Sequence, residues 1–105
     1  MGIIELVIDQ ITLTSKDDIL KVLRQFKLYW LIDSVCESAR IEIKRGTVIW
    51  HSGLYLTGNW HWGIFLNGDF LGNWEGGIWE GGNFNHNVWE KSQISPGVWT
   101  LIKKQ

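Results

Sequence analysis

Aromatic residues recur every five positions through the second half of this chain, at Trp50, Tyr55, Trp60, Phe65 and Phe70. After one missing residue the series resumes at Trp74, Trp79, Phe84, Trp89, Ile94 and Trp99. Two positions before most of them stands a small residue: Gly53, Gly58, Gly63, Gly68, Gly72, Gly77, Gly82, Ser92 and Gly97, with Val48 and Asn87 the exceptions. Six of the eight Trp hold the same place in the unit, and a low-complexity tract does not keep register in this way. A period of five does not match the 3.6 of a helix, and Gly at this density would cost a helix about 1 kcal/mol each relative to Ala. On an extended chain, residues two apart point to one side. Each aromatic therefore shares a face with its small residue, and the remaining residues turn a corner. The pattern predicts a short β-solenoid with the aromatics inside.

Four units, Gly58-Asn59-Trp60, Gly68-Asp69-Phe70, Gly72-Asn73-Trp74 and Gly82-Asn83-Phe84, follow the order small, Asn or Asp, bulky. In that order the segment from about 48 to 101 resembles the pentapeptide-repeat family, whose unit is a small residue, Asp or Asn, Leu or Phe, and two variable residues. The resemblance implies a right-handed, four-sided β-helix. The departures are Gly for Ala and Trp for Leu, and both follow if a bulkier inward ring needs a neighbour without a side chain. With four units per coil, the inward columns would be Trp50, Phe70 and Trp89; Tyr55, Trp74 and Ile94; Trp60, Trp79 and Trp99; and Phe65 with Phe84. Each Trp buries ~200 Å², worth at most about 5 kcal/mol. The competing fold is a MORN-like β-meander, in which Glu75-Gly76-Gly77 and Glu80-Gly81-Gly82 would close small hairpins.

Residues 1–45 lack the five-residue register and read as a small α+β cap. Ile4, Leu6 and Ile8 alternate with Glu5, Val7 and Asp9, which predicts a strand. Ser15 followed by Asp18 predicts a helix start, with Ile19, Val22, Leu23 and Phe26 on its apolar side. The run Leu28 to Ile32 fits helix or strand equally, and Ile41 and Ile43 alternate into the repeat. The expected organisation is a cap at 1–45, a solenoid at 46–101 and a basic tail at 102–105. Outward positions of the first coil include Ile49, Leu54, Leu56, Ile64 and Leu66, so the cap is expected to cover them and the solenoid's open end.

Catalytic signatures are absent from the sequence. Gly58 and Gly63 have the spacing of a phosphate loop, but Ile64 and Phe65 stand where Lys and Ser or Thr are needed. His51, His61 and His86 show no ligand spacing, and His61 is expected beside Glu80 as a surface pair. Cys36 reads as a small buried hydrophobe. As a single cysteine it fits a reducing compartment, the cytoplasm, of the host cell if the chain is phage-encoded. No apolar run approaches the ~18 residues of a membrane span. No cofactor or metal is expected.

Net charge is −1, too small for a surface that binds nucleic acid directly. Residues 47–101 hold Lys91 against Asp69, Glu75, Glu80 and Glu90, a local net of −3. The resemblance also implies duplex-DNA mimicry as a possible mode, for which this surplus is small. The expected function is a non-catalytic protein-binding module. Its most plausible form is a small inhibitor that meets the basic surface of a nucleic-acid-handling enzyme, such as a defence nuclease, as anti-CRISPR proteins do. The expected contacts are Asp69, Glu75, Glu80, Glu90 and the corner residue Trp62. The alternatives are an assembly protein, a homodimer among its forms, and an aromatic ligand-binding module.

Overall fold

The computed structural model describes residues 1–105 and is mainly β, with 52% of residues in strands and 13% in helices. Six two-residue strands carry the repeat: β5 (Asn59–Trp60), β6 (Ile64–Phe65), β7 (Asp69–Phe70), β8 (Asn73–Trp74), β9 (Ile78–Trp79) and β10 (Asn83–Phe84). Each ends on a buried aromatic. All their pairings are parallel, and the partner is three units away: Trp60 with Trp74, Phe65 with Trp79, Phe70 with Phe84. Where the sequence led to stacking of units four apart, the parallel pairs join units three apart. Gly76 and Gly81 close no hairpins, because Trp74 and Trp79 pair with earlier units rather than with each other.

The rings explain the choice of three. Within a column they stack nearly flat, Phe65 on Trp79 at 4.6 Å and 5°, Trp60 on Trp74 at 5.6 Å and 7°. Between columns they meet edge to face, as Trp60 does Phe65 at 78° and Trp74 does Trp79 at 75°. Both are favoured aromatic geometries. The rings thus form columns stacked within themselves and set edge to face against one another. The glycines stack as well. At Gly68, φ is +125°, and a Cβ would lie 2.4 Å from the Gly53 carbonyl oxygen one turn earlier; Gly77 repeats this against Gly63 at 2.5 Å. Glycine is required by the corner and by the turn stacked on it.

A long strand, β4 (Thr47–Thr57), supplies the first two units and receives β3 (Val35–Lys44) along its other edge, antiparallel. Beyond β3 come β1 (Ile3–Ile8), parallel, and β2 (Ile11–Leu13), antiparallel to β1. One inward row therefore crosses the whole sheet: Leu13, Leu6, Ile41, Trp50, Phe65, Trp79. Helix α1 (Lys16–Gln25) starts where Ser15 predicts, with the Ser15 side chain accepting from the Asp18 N–H at 3.5 Å. Its Ile19 and Leu23 join the same buried cluster as Leu6, while Phe26 is 37% exposed, contrary to expectation.

The run after Leu28 resolves into a single turn, α2 (Tyr29–Ile32), which carries Trp30 edge-on against Trp60 at 5.1 Å. The N-terminal segment thus covers the end of the aromatic stack, β3 on two sides and α2 on the third. It does not cover the flank. Ile49, Leu54, Leu56, Ile64 and Leu66 stay partly exposed.

The five-residue pattern outruns the winding. After Trp89 the chain forms an antiparallel hairpin of β11 (Trp89–Ser95) and β12 (Val98–Lys103) around Pro96-Gly97. Ile94 is exposed and Trp99 half-buried beneath Lys91, whose Nζ lies 4.9 Å from the ring centroid. Neither enters a column. The hairpin is tied down by Trp74 Nε1 donating to Thr100 Oγ1 at 3.0 Å and by the Lys104 N–H donating to Val88 O at 2.8 Å. Residues 102 and 103 are part of β12 and pair with Glu90 and Trp89.

Candidate functional site

Strand alternation turns every second residue outward, and the register aligns those residues too. Beside the buried row lies an outer one: Thr12, Val7, Glu42, Ile49, Ile64, Ile78. The three isoleucines stand on consecutive parallel strands, with Leu66 two residues beyond Ile64 and Glu80 two beyond Ile78. All four aliphatic side chains are partly buried. No helix packs on this side; α1 lies against β1 with its apolar residues in the core, and α2 meets β5. At the β3–β4 turn a shallow hollow of about 300 Å³ is lined by Lys44, Arg45, Thr47, Ile49 and Ile64. Lys44 and Arg45 form no ion pair. Two other carboxylates on this side have partners: Glu42 is hydrogen-bonded to His51 at 2.9 Å, and Glu5 is paired with Arg40 at 3.1 Å.

The other two sides differ in chemistry. On the side of β7 and β10, Asn83 Nδ2 donates to Asp69 Oδ1 at 2.9 Å, and a hollow of about 410 Å³ runs past Leu54, Leu71 and Phe84. On the side of β5 and β8, Asn73 Nδ2 donates to Asn59 Oδ1 at 3.1 Å. A hollow of about 380 Å³ there is lined by Trp30, Asp33, Gly58, Asn59 and His61. The imidazole of His61 stacks on Trp30 at 5.7 Å and faces Glu75 at 3.6 Å, not Glu80 as expected. The reason is the parallel pairing of units three apart, which brings residue 75 beside residue 61.

That pairing also disperses the expected acidic contacts. Asp69 lies on the β7–β10 side, Glu75 on the β5–β8 side and Glu80 on the β6–β9 side, while Glu90 sits in the terminal hairpin opposite Ile102. All four are exposed, but they form no single stripe. Trp62 stands at a corner, 59% exposed, with its ring over Gly76. The Ile49–Ile64–Ile78 row was absent from the expected contacts. Its signal is present in the sequence, as Ile before the aromatic at every third unit, but is visible only once units three apart are known to pair.

Two buried groups stand out chemically. The Tyr55 hydroxyl makes no hydrogen bond; the Ser34 hydroxyl nearby donates its proton to Leu31 O at 2.6 Å. Burial pushes the Tyr55 phenol above its ordinary value. Burial raises the Cys36 thiol likewise, against a lowering contact from the Gly2 N–H at 3.4 Å. Cys36 is buried, as expected for a small hydrophobe. Tyr55→Phe removes an unsatisfied polar atom, so its expected effect ranges from neutral to a gain of about 1 kcal/mol. It also alters the alkaline limb. A phenol raised in the folded state stabilises fully below the ordinary tyrosine range near pH ~10, and that contribution is lost as pH rises beyond it. Denaturant titrations from pH 8 to about 11 should show a shallower decline for Tyr55→Phe than for the parent.

Comparison with protein-family models, curated proteins and solved structures found no match for this chain. No helix is long and apolar enough to cross a membrane.

Proposed function

We propose that residues 46–101 form a short β-solenoid with three units per turn, and that the chain is a non-catalytic protein-binding module working through its uncovered side. One observation carries the reading. Ile49, Ile64, Ile78 and Leu66 form an adjoining aliphatic row left partly open, with no helix of the chain over it and only β12 reaching its β9 edge. Apolar surface left open in this way marks interaction sites. A flat face set on fixed strands also orders few side chains on binding, which lowers the entropic cost of association. Such a module acts by occupying a partner's surface. An inhibitor of a nucleic-acid-handling enzyme, the anti-CRISPR mode included, is one form of that action. The dispersed acids shift its contact from the expected acidic stripe to the aliphatic row.

The test pairs two variants in capture experiments from a host lysate. Ile64→Thr/Ile78→Thr keeps β-branched residues on the strands, so its fold should persist, yet capture of the partner should fall at least tenfold. Reversal of Asp69, Glu75, Glu80 and Glu90 to Lys should affect capture less. The opposite ranking would return the contact to the acids.

A further inference from the structure

We infer that the aliphatic side pairs two copies of this chain face to face about a two-fold axis. The inference rests on the reading of this side as a contact surface and names one occupant for it. The argument is the placement of charge around the row. Lys44 and Arg45 lie at one corner, on β3 and its turn, two residues before the level of Ile49. Glu80 lies at the diagonal corner, directly after β9, two residues after the level of Ile78. Of the other carboxylates on this side, Glu42 is hydrogen-bonded to His51 within the rectangle, and Glu5 is paired with Arg40 outside it, towards β1. Asp9 and Gln10 line a neighbouring hollow beside Lys44 and Arg45, but Asp9 makes no ion pair with either.

The corners are separated by three strand spacings, about 14 Å, across the sheet and by four residues, about 13 Å, along it. The rectangle is nearly square. A two-fold axis in the plane of the face, perpendicular to this diagonal, passes between Ile49 and Ile64. It sets the basic corner of each copy on the acidic corner of the other, twice. Because the diagonal lies near 45° to the strands, the two sheets cross close to 90°, one of the two arrangements in which sheets pack. The aliphatic residues meet at the centre and the charges at the rim, as in interfaces generally. The contact is isologous and closes on itself. A standard interface takes about 800 Å² per copy, roughly an eighth of the 6285 Å² accessible surface of this chain.

Sedimentation equilibrium of the full chain at low salt, from about 1 μM to 1 mM, tests this in the affinity range of a small interface. A monomer–dimer equilibrium is expected, without higher species. Lys44→Glu/Arg45→Glu should weaken it at least tenfold, and Glu80→Lys should do the same. The three changes combined should restore dimerisation towards the parent value, because each reversed corner again meets its opposite. That rescue cannot arise from misfolding. Monomer throughout the range, higher-order growth, or dimerisation indifferent to these charges would overturn the pairing. A monomeric chain that still loses partner capture on Ile64→Thr/Ile78→Thr would sink the pairing and leave the contact surface intact. A charge-dependent dimer whose capture ignores those isoleucines would support the pairing and sink the reading of this side as the site of an outside partner.

Discussion

Trp60→Ala is expected to lower stability by about 3–5 kcal/mol, the cost of a large aromatic removed from a packed core. Trp60 has no exposed surface, and its ring lies within 5.1–6.0 Å of Trp30, Trp50, Tyr55, Phe65 and Trp74. It is where the cap, the first turn and the second turn meet. Its Nε1 has no hydrogen-bond partner, so the variant breaks no polar contact and the loss is one of packing alone. The neighbours are stacked rings on a closely wound backbone and cannot collapse into the space. A domain of this size has about 5–15 kcal/mol in total, and each kcal/mol is worth roughly 4–8 °C in Tm. A fall of at least ~12 °C should appear in calorimetry. Trp99→Ala provides the control: half-exposed, with a cation–π contact to Lys91, it should cost about 1 kcal/mol. Equal effects of the two changes would refute the placement of Trp60 at the centre and Trp99 at the margin.

A chain beginning at residue 46 is expected to lose cooperative folding altogether. The truncation strips β3 from eight register positions on β4 and removes Trp30 from the ring of Trp60. Trp50 and Tyr55, fully buried in the intact protein, would then line an open end, and β4 would become an eleven-residue edge with unpaired backbone groups. Long apolar edges of this kind aggregate. The buried cluster runs unbroken from Ile3 to Leu101, so the repeat has no separate core to fall back on. Expression of the 46–105 fragment should give insoluble protein, or a soluble species with no thermal transition in near-ultraviolet circular dichroism. A monomeric fragment with a sharp melt would show that the winding folds unaided.

Much of this arrangement was legible in the sequence. The spacing of Trp60, Phe65, Phe70, Trp74, Trp79 and Phe84 identifies the buried residues one by one, because a ring of that size every fifth position has nowhere to go but inward. The glycines two positions earlier mark the corners, and Ser15 with Asp18 marks the helix start through local hydrogen bonding. These are local properties, set by side-chain size, backbone freedom and capping within a few residues.

The number of units per turn is not local, and everything outside depends on it. Unit order is compatible with pairing three or four units apart; the observed pairing stacks rings within a column and sets them edge-on between columns. The same packing moves Glu75 over His61, scatters the acids to different sides and lines up Ile49, Ile64 and Ile78. The end of the winding is tertiary as well. Ile94 and Trp99 keep the spacing, but Pro96-Gly97 turns the chain into a hairpin that closes over Trp74, where antiparallel pairing satisfies backbone groups that another turn would leave open. Sequence by itself determined which residues are inside from Trp50 to Trp89. Only the tertiary structure decided which of the others stand side by side, since that follows from how far the chain travels before it meets itself again.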